Sequence, residues 1–183
     1  MNLQPKNFPY HHSTVDRFTN LAKLLKFRSL IESREWVSHT AELYRFSSLQ
    51  ESRFIHTEFF HSEQEEILKY LNEMGAHICD RTADVFRLNE GDGIGIHDDH
   101  SVNAYRLAIS LSETRPIEAG GGFMLFGRKL NDMLIYPATL NSGVLFRTDQ
   151  QHRHAISVAC GSPLYFLVFQ FLISPATITV EDV

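Results

Sequence analysis

Cysteine, tryptophan and long apolar runs are scarce in this chain of 183 residues. Cys79 and Cys160 are the two cysteines, too few for a disulfide framework. The longest apolar run, Leu164–Ile173, contains Gln170 and falls short of the ~20 residues needed to span a bilayer. The chain does not open on a basic segment followed by an apolar stretch, so we expect no secretory signal. These absences predict a cytoplasmic protein with no membrane partner.

Positive charge is not in excess either. Lys and Arg total 17 against 22 Asp and Glu, which gives a formal net charge of −5. This balance argues against a nucleic-acid partner, because binding to a phosphate backbone calls for clustered basic residues. The length predicts a single domain over 1–183, since domains average roughly 150 residues. The hydrophobic content of 43% is sufficient for a buried core.

The first part of the chain, 1–78, carries helical spacing, and we predict a mostly helical N-terminal support. Apolar residues recur at i, i+3 and i+4 from Val15 toward Ile31, as on one face of a helix. A second helix is predicted to begin at Ser62, because Ser62 and Glu65 form a capping-box pattern.

The second part, 82–173, predicts a β-structure, followed by a C-terminal tail over 174–183. Short apolar segments alternate with glycine-containing turns, which is typical of an antiparallel sandwich or barrel. We expect the helices to pack on one outer face of it. The eight predicted strands are Ala83–Leu88, Gly95–Asp99, Tyr105–Ser112, Gly122–Phe126, Met133–Tyr136, Gly143–Arg147, His154–Val158 and Leu164–Leu172.

One predicted strand carries a possible metal site. His97 and Asp99 are two residues apart, so on a strand both side chains point to the same face. A further imidazole would complete a set of two histidines and one carboxylate, which favours non-haem Fe(II). An HxD tripeptide alone is weak, because it also arises by chance. We discount His56–Thr57–Glu58 and His61–Ser62–Glu63, since neither lies between two predicted strands.

The order of motifs around HxD is more specific. A glycine-containing turn, Asn89–Ile96, precedes it, and an apolar strand with Arg106 follows. A glycine-rich strand entry, Gly120–Phe126, comes next, and Pro137–His154 ends the series. In this order the motifs resemble those of the 2-oxoglutarate- and Fe(II)-dependent dioxygenases, specifically the prolyl-hydroxylase-like branch. The resemblance covers about half the chain and implies a double-stranded β-helix, the jelly-roll barrel that cupins share.

The resemblance implies Fe(II) held by His97, Asp99 and a distal histidine. Alternation alone does not separate His152 from His154, since both have the same parity. The family pattern selects His154, which falls five residues after Asp149. The implied cosubstrates are 2-oxoglutarate and O2. Because halogenases of this kind have a small residue in place of the carboxylate, Asp99 favours hydroxylation.

The implied substrate is an unactivated C–H of an amino acid, a peptide residue or an amino-acid-derived small molecule. Desaturation and ring closure use the same iron centre and stay open. We expect the loops Ser101–Ala104 and Gly127–Asn131 to shape the entrance.

The chain departs from the family at the 2-oxoglutarate anchor. The family has a cation nine or ten residues beyond the distal histidine, where this chain has Pro163 and Leu164. A dicarboxylate in a dry pocket needs a charged partner, and the guanidinium fork of arginine suits it. Arg106 is the first candidate, Arg87 the second and Arg147 the third. A cupin-like metalloenzyme that does not use 2-oxoglutarate, and a non-catalytic β-barrel binding protein, are the alternatives.

Overall fold

A computed structural model describes residues 1–50, 52, 54–55, 59–99, 103–129, 131–149 and 151–174. Besides a short 3-10 helix over Ile117–Ala119, this part of the chain contains twelve strands and two α-helices. In chain order they are β1 (Asn2–Lys6), β2 (His12–Asp16), α1 (Leu21–Glu32), β3 (Trp36–Ala41), β4 (Tyr44–Leu49), α2 (His61–Glu73), β5 (Ile78–Leu88), β6 (Gly93–His97), β7 (Ala104–Ser110), β8 (Phe123–Phe126), β9 (Met133–Tyr136), β10 (Gly143–Thr148), β11 (Arg153–Ile156) and β12 (Leu164–Ile173).

The strands form one curled antiparallel sheet in the order β1-β2-β10-β7-β12-β5-β4-β6-β11-β8-β9, with β3 paired to β4. We call β1, β2, β10, β7, β12 and β5 the larger half-sheet, and β6, β11, β8 and β9 the smaller half-sheet. β4 joins them, because Ser47 and Ser48 pair with β5 whereas Tyr44 and Arg45 pair with β6. Side chains of both half-sheets meet in the space between them, which we call the lumen.

Strand β12 is buried on both faces, which explains why its sequence is almost continuously apolar. Its odd-numbered residues belong to the core cluster that includes the helices: Tyr165, Leu167, Phe169 and Phe171. Its even-numbered residues at the start of the strand belong to the lumen cluster: Leu164, Phe166 and Val168.

Both helices pack on the outer face of the larger half-sheet, as predicted. α1 buries Leu24, Phe27 and Ile31, and α2 buries Ile67 and Leu71. These residues follow the i, i+3, i+4, i+7 spacing of a single helix face. Because the helices cover only one side of the sheet, the opposite side is left to line the lumen.

All eight strands predicted in the second part of the chain are present; Met133–Tyr136 has the predicted bounds, and the other seven differ at one or both ends. The first of them starts earlier than expected, at Ile78 instead of Ala83. Turns at the predicted glycines separate the strands, and Gly91 and Gly120 have φ angles of 83° and 71°. A side chain at Gly120 would also meet the carbonyl oxygen of Val158 at 1.8 Å, so this turn requires glycine.

The prediction of a mostly helical N-terminal part is wrong, since 1–78 also contains β1 to β4. Val15, expected on a helix, lies in β2 opposite Leu3 of β1. α1 begins only at Leu21, because the Asn20 side chain accepts a hydrogen bond from the Ala22 amide at 2.9 Å. Strands β1 and β3 escape the pattern because they are largely exposed and lack alternating apolar residues.

The predicted capping box of α2 is also wrong. The helix begins at His61, and the Ser62 hydroxyl donates to the Glu63 carboxylate at 2.8 Å instead of capping a backbone amide. Glu65 accepts from Arg81 of β5 at 2.7 Å. The helix end is clearer, since Gly75 follows it with a φ of 82°.

Several predictions fall on residues that the structure does not describe. They are His56–Thr57–Glu58, the tail after Ser174, and parts of the two entrance loops, namely 101–102 and 130. Within the described residues, neither helix has the length and apolar character needed to cross a membrane.

A buried histidine predicts how stability varies with pH. His12 is fully enclosed, its Nδ1 donating to the Tyr10 carbonyl at 2.8 Å and its Nε2 accepting from the Tyr136 hydroxyl of β9 at 2.6 Å. Burial lowers the pKa of His12, and the nearby charges of His11 and Lys6 act in the same direction. The unfolded chain therefore takes up a proton near pH 6.5 that the folded state refuses, so stability should fall as pH falls below about 6.5.

We expect His12→Gln to reduce this dependence. Between pH 7 and pH 5 the Tm of the variant should drop by several degrees less than that of the unmodified protein, measured by thermal unfolding. His11→Gln, at the exposed neighbouring position, is the control and should follow the unmodified protein. Equal slopes for His12→Gln and the unmodified protein would show that His12 does not carry the effect.

Candidate metal centre

Three side chains predicted as metal ligands converge at the edge of the lumen. His97 is the last residue of β6, Asp99 follows two residues later, and His154 lies on β11 directly opposite His97. Because β6 and β11 are hydrogen-bonded neighbours, the two imidazole rings lie 4.2 Å apart. One nitrogen of each ring and a carboxylate oxygen of Asp99 all lie within 4.8 Å of one another.

Hydrogen bonds orient both rings toward the centre of this cluster. His97 Nδ1 donates to the Gly95 carbonyl at 2.8 Å, and His154 Nδ1 lies 3.5 Å from the His152 carbonyl. We assign the proton of each ring to Nδ1 on this basis, which leaves both Nε2 lone pairs facing Asp99. His154 Nε2 is 3.4 Å from Asp99 Oδ2, and His97 Nε2 is 3.9 Å from Oδ1.

Burial keeps the imidazole of His154 neutral. His154 is 4% exposed, and burial, assisted by His97 and Arg106, lowers its pKa to about 3. A neutral imidazole has the lone pair that a metal ligand needs. Asp99 Oδ2 is buried and has no hydrogen-bond partner among the described residues. Two imidazoles whose Nε2 atoms face Asp99, and a carboxylate oxygen without a hydrogen-bond partner, are a donor set that fits Fe(II).

Arg106 is the predicted anchor that lies beside this cluster. Its side chain leaves β7 on the lumen face, and Nη1 is 2.9 Å from Asp99 Oδ2. This contact is an ion pair that does not have the geometry of a hydrogen bond. Asp99 Oδ2 can therefore still accept a hydrogen bond. Arg106 Nε donates to the Gln170 side chain of β12 at 3.2 Å. Burial lowers the pKa of Arg106, and the charge of Asp99 opposes that shift.

The second anchor candidate, Arg87, lies on the wrong side of the sheet. Phe86 lines the lumen, and the next residue on a strand points to the opposite face. The Arg87 guanidinium accordingly stacks over Trp36 on the outer side, 4.7 Å from the ring centre. Arg147 likewise points outward and pairs with Asp149 at 3.4 Å. Of the three candidate arginines, the structure brings only Arg106 to the histidines.

The other histidine candidates are placed elsewhere. His152 lies just before β11, where strand alternation does not yet apply, and its Nδ1 is 2.6 Å from Asp149 Oδ1. Its ring contacts Tyr10, 4.4 Å away between centres. In the discounted His61–Ser62–Glu63 motif, Glu63 pairs with Lys23 at 2.7 Å. The assignment of His97, Asp99 and His154 as ligands stays a prediction.

The cluster opens into a narrow, mostly apolar cavity of about 40 Å³. Besides His97, His154 and Arg106, its walls are Phe86, Ile94, Ala108, Phe123, Phe146, Ile156 and Val168. A larger groove of about 440 Å³ lies on the outer side of β6 and β11, beside the turn between β3 and β4, and contains none of the three clustered side chains. Of these two cavities, the small one is therefore the one lined by His97, His154 and Arg106.

Gln170 is the site residue that the sequence analysis missed. In the sequence it interrupts the apolar run Leu164–Ile173. On β12 it pairs with Arg106 of β7, and both side chains face the lumen. A single polar residue within a strand that is apolar on both faces was the available signal, because a buried amide needs a partner.

Comparison with solved structures supports the fold. A Pseudomonas putida prolyl-4-hydroxylase matches with a TM-score of 0.71 and 14% identity over 88% of this chain and 91% of that chain. A Trichoplax adhaerens prolyl hydroxylase, in complex with a peptide fragment of the hypoxia inducible factor oxygen degradation domain, matches with a TM-score of 0.73 and 14% identity, covering 88% of this chain and 83% of that chain.

The same fold also occurs in an enzyme with another activity. The non-haem α-ketoglutarate-dependent epimerase SnoN from nogalamycin biosynthesis matches with a TM-score of 0.67 and 13% identity, over 94% of this chain and 83% of that chain. No protein-family model matches the sequence, and neither does any curated protein. The chain therefore has the double-stranded β-helix fold that prolyl hydroxylases and other 2-oxoglutarate–Fe(II) oxygenases share.

Proposed function

We propose that this protein is an Fe(II)- and 2-oxoglutarate-dependent oxygenase that hydroxylates an unactivated C–H bond. The observation that carries the proposal is the convergence of His97, Asp99 and His154, with ligand atoms within 4.8 Å of one another, at the edge of a lumen. Two imidazoles and one carboxylate leave open coordination positions, as this chemistry requires. The fold shared with 2-oxoglutarate–Fe(II) oxygenases supports the same assignment.

In this proposal His97, Asp99 and His154 hold Fe(II). When bound, Fe(II) and 2-oxoglutarate supply the oxidising chemistry, in which O2 delivers one oxygen atom to the substrate while 2-oxoglutarate is converted to succinate and CO2. The chain contributes position. Phe146 and Phe123 pack against the His154 ring at 4.9 Å and 6.2 Å between centres, which restrains its orientation. Their apolar side chains also exclude water from the inner side of the centre.

Arg106 is the proposed anchor for the far carboxylate of 2-oxoglutarate. It is the cation that the lumen presents next to the cluster, and Gln170 restrains its Nε. Leu164, at the position where the family has its cation, is fully buried in the lumen cluster and offers no charge. The guanidinium has donors enough to bind a carboxylate through two nitrogens.

The substrate reaches the cluster from its more exposed side, where His97 and Asp99 are 26% and 15% exposed. We propose an amino acid, a peptide residue or an amino-acid-derived small molecule as substrate. The peptide held by the Trichoplax prolyl hydroxylase supports the peptide option by analogy of fold. We place the protein in the cytoplasm, since Cys79 and Cys160 are both free and exposed, which suits a reducing compartment.

The test is an anaerobic titration of the metal-free protein, first with Fe(II) and then with 2-oxoglutarate. The unmodified protein should develop the visible charge-transfer band of an Fe(II)–2-oxoglutarate chelate. Arg106→Gln should bind Fe(II) yet require about tenfold or more 2-oxoglutarate for the same band, because a charge-assisted contact is lost. Arg81→Gln, which removes a surface arginine paired with Glu65, is the matched control and should behave like the unmodified protein.

A different anchor would show itself in the same titration. If Arg87→Gln weakened the band and Arg106→Gln did not, the anchor would be Arg87. Iron binding with no band at saturating 2-oxoglutarate would favour the second candidate, a cupin-like metalloenzyme without this cosubstrate. The observation that favours this second candidate is that Leu164 stands at the position where the family has a cationic residue. Failure to bind Fe(II) at all would leave a non-catalytic barrel.

A further inference from the structure

We infer that Arg106 is a shared counter-ion, which pairs with Asp99 in the metal-free protein and turns to the bound dicarboxylate once a metal occupies Asp99. A metal ion and a dicarboxylate then bind cooperatively, each strengthening the binding of the other. This inference rests on the proposed function, because it concerns the same site. It adds a coupling through Arg106 and Asp99 to the one that direct chelation of the metal by the cosubstrate already provides.

The first support is the ion pair itself. Arg106 Nη1 lies 2.9 Å from Asp99 Oδ2, and the two side chains are only 22% and 15% exposed. Within the described residues, no other carboxylate lies within 4.0 Å of Arg106. A metal bound through Asp99 would compete with the guanidinium for the same carboxylate, since both are cations that seek its negative charge.

The second support is space. Arg106, His97 and His154 line one small cavity of about 40 Å³, so the position of the Arg106 side chain limits the room left for a ligand. Arg106 forms one wall of the cavity, and a single hydrogen bond from Nε to Gln170 holds the side chain there, so the planar guanidinium can move as a unit by rotation about the bonds of its stem. Movement of the guanidinium away from Asp99 would both widen the cavity and present its nitrogens to a ligand.

The third support is charge. The charges of Asp99 and Arg106 cancel each other, so a dianion entering the apolar cavity would find no net positive charge from this pair to offset its desolvation. A divalent metal adds two positive charges, and a dianion then restores neutrality. The metal should therefore raise the affinity for the dicarboxylate, and by reciprocity the dicarboxylate should raise the affinity for the metal.

We expect Arg106→Gln to change the affinity for the metal and the affinity for the dicarboxylate in different directions. Metal affinity in the absence of dicarboxylate should stay the same or increase, because the competing cation at Asp99 is gone. Dicarboxylate affinity should decrease, and its dependence on the metal should shrink. A purely structural role for Arg106 would instead lower both affinities. Arg106→Lys, which keeps the charge without the fork, should retain part of the coupling and serves as a second variant.

The experiment is isothermal titration calorimetry on the full chain with Mn(II) alone, glutarate alone and glutarate after saturation with Mn(II). Glutarate is the probe because it lacks the keto oxygen through which 2-oxoglutarate chelates a metal. In the unmodified protein, Mn(II) should lower the Kd of glutarate about tenfold or more. In Arg106→Gln this factor should be clearly smaller, with an Mn(II) Kd no weaker than in the unmodified protein. Arg81→Gln should reproduce the unmodified protein.

Three results would overturn the inference. Equal glutarate affinity with and without Mn(II) in the unmodified protein would remove the coupling; if the Fe(II)–2-oxoglutarate band still formed, the proposed function would stand. Weaker Mn(II) binding by a folded Arg106→Gln would mean that Arg106 orients Asp99 and does not compete for it. Absence of Mn(II) and Fe(II) binding in the unmodified protein would refute the proposed function together with the inference.

Discussion

Asp99→Ala is expected to weaken Fe(II) binding by about 100-fold or more and to abolish turnover. The substitution removes the one anionic ligand of the cluster and leaves two imidazoles, which hold divalent iron poorly. The same change leaves Arg106 partly buried without the carboxylate that lies 2.9 Å away. We therefore also expect a lower Tm in the metal-free variant, because removing one partner of a buried pair destabilises the other.

Calorimetry with Mn(II) and the anaerobic Fe(II) titration measure the first effect, and thermal unfolding of the metal-free protein measures the second. Asp16→Ala is the control, since Asp16 is an exposed carboxylate at the end of β2 that pairs loosely with Arg17 at 3.7 Å. Undiminished metal binding by Asp99→Ala would contradict the ligand assignment. It would also favour the non-catalytic barrel, in which Asp99 serves only as the partner of Arg106.

Phe169→Ala is expected to cost about 3–5 kcal/mol of unfolding free energy, the largest stability effect we predict. Phe169 is 1% exposed on β12 and contacts the rings of Phe18 and Phe60 at 5.7 Å and 6.3 Å between centres. These two side chains come from segments that flank α1 and α2. Removal of the Phe169 ring leaves a cavity at the point where both helices meet the larger half-sheet.

Urea unfolding measures this loss, which is a large share of the roughly 5–15 kcal/mol that a domain of ordinary stability has. Phe8→Ala removes a ring that is 52% exposed and should change stability by less than about 0.5 kcal/mol. Similar losses for both variants would mean that the helices do not depend on this aromatic contact. Gln170 is the next residue on β12, so a folded Phe169→Ala should also show weaker 2-oxoglutarate binding.

The barrel strands could be predicted from sequence because their patterns are local. His97 and Asp99 are two residues apart, and the predicted strand places them on one face. In the structure β6 ends at His97, and Asp99 reaches the same cluster from the residues that follow the strand. The meeting of His97 with His154 was harder, since it depends on which strands become neighbours. That prediction came from the order of motifs that the chain shares with the 2-oxoglutarate-dependent dioxygenases. The pairing of β6 with β11 agrees with it.

The choice between anchors shows why the rest could not be predicted. In β5 the residues Ala83, Val85 and Arg87 lie on one face, and Asp84 and Phe86 lie on the other. Both faces carry apolar and charged residues, so alternation cannot say which face lines the lumen. Only the helices decide this, because they cover the face of Ala83 and Val85. Strands β1 and β3 were missed for a related reason, as they are largely exposed and are held mainly by main-chain pairing.

The division of the sheet into two halves also separates two tasks. The imidazoles lie on β6 and β11, whereas Arg106 and Gln170 lie on β7 and β12, across the lumen. The first residue of β12, Leu164, occupies the position where the family has its cation, and β7 is the strand next to β12. In the proposed function, the positive charge therefore sits on an adjoining strand of the same wall, while the two imidazoles keep their places on the opposite wall. Because Arg106 reaches Asp99 across the lumen, the proposed cosubstrate anchor and the proposed metal ligands stay linked in this barrel.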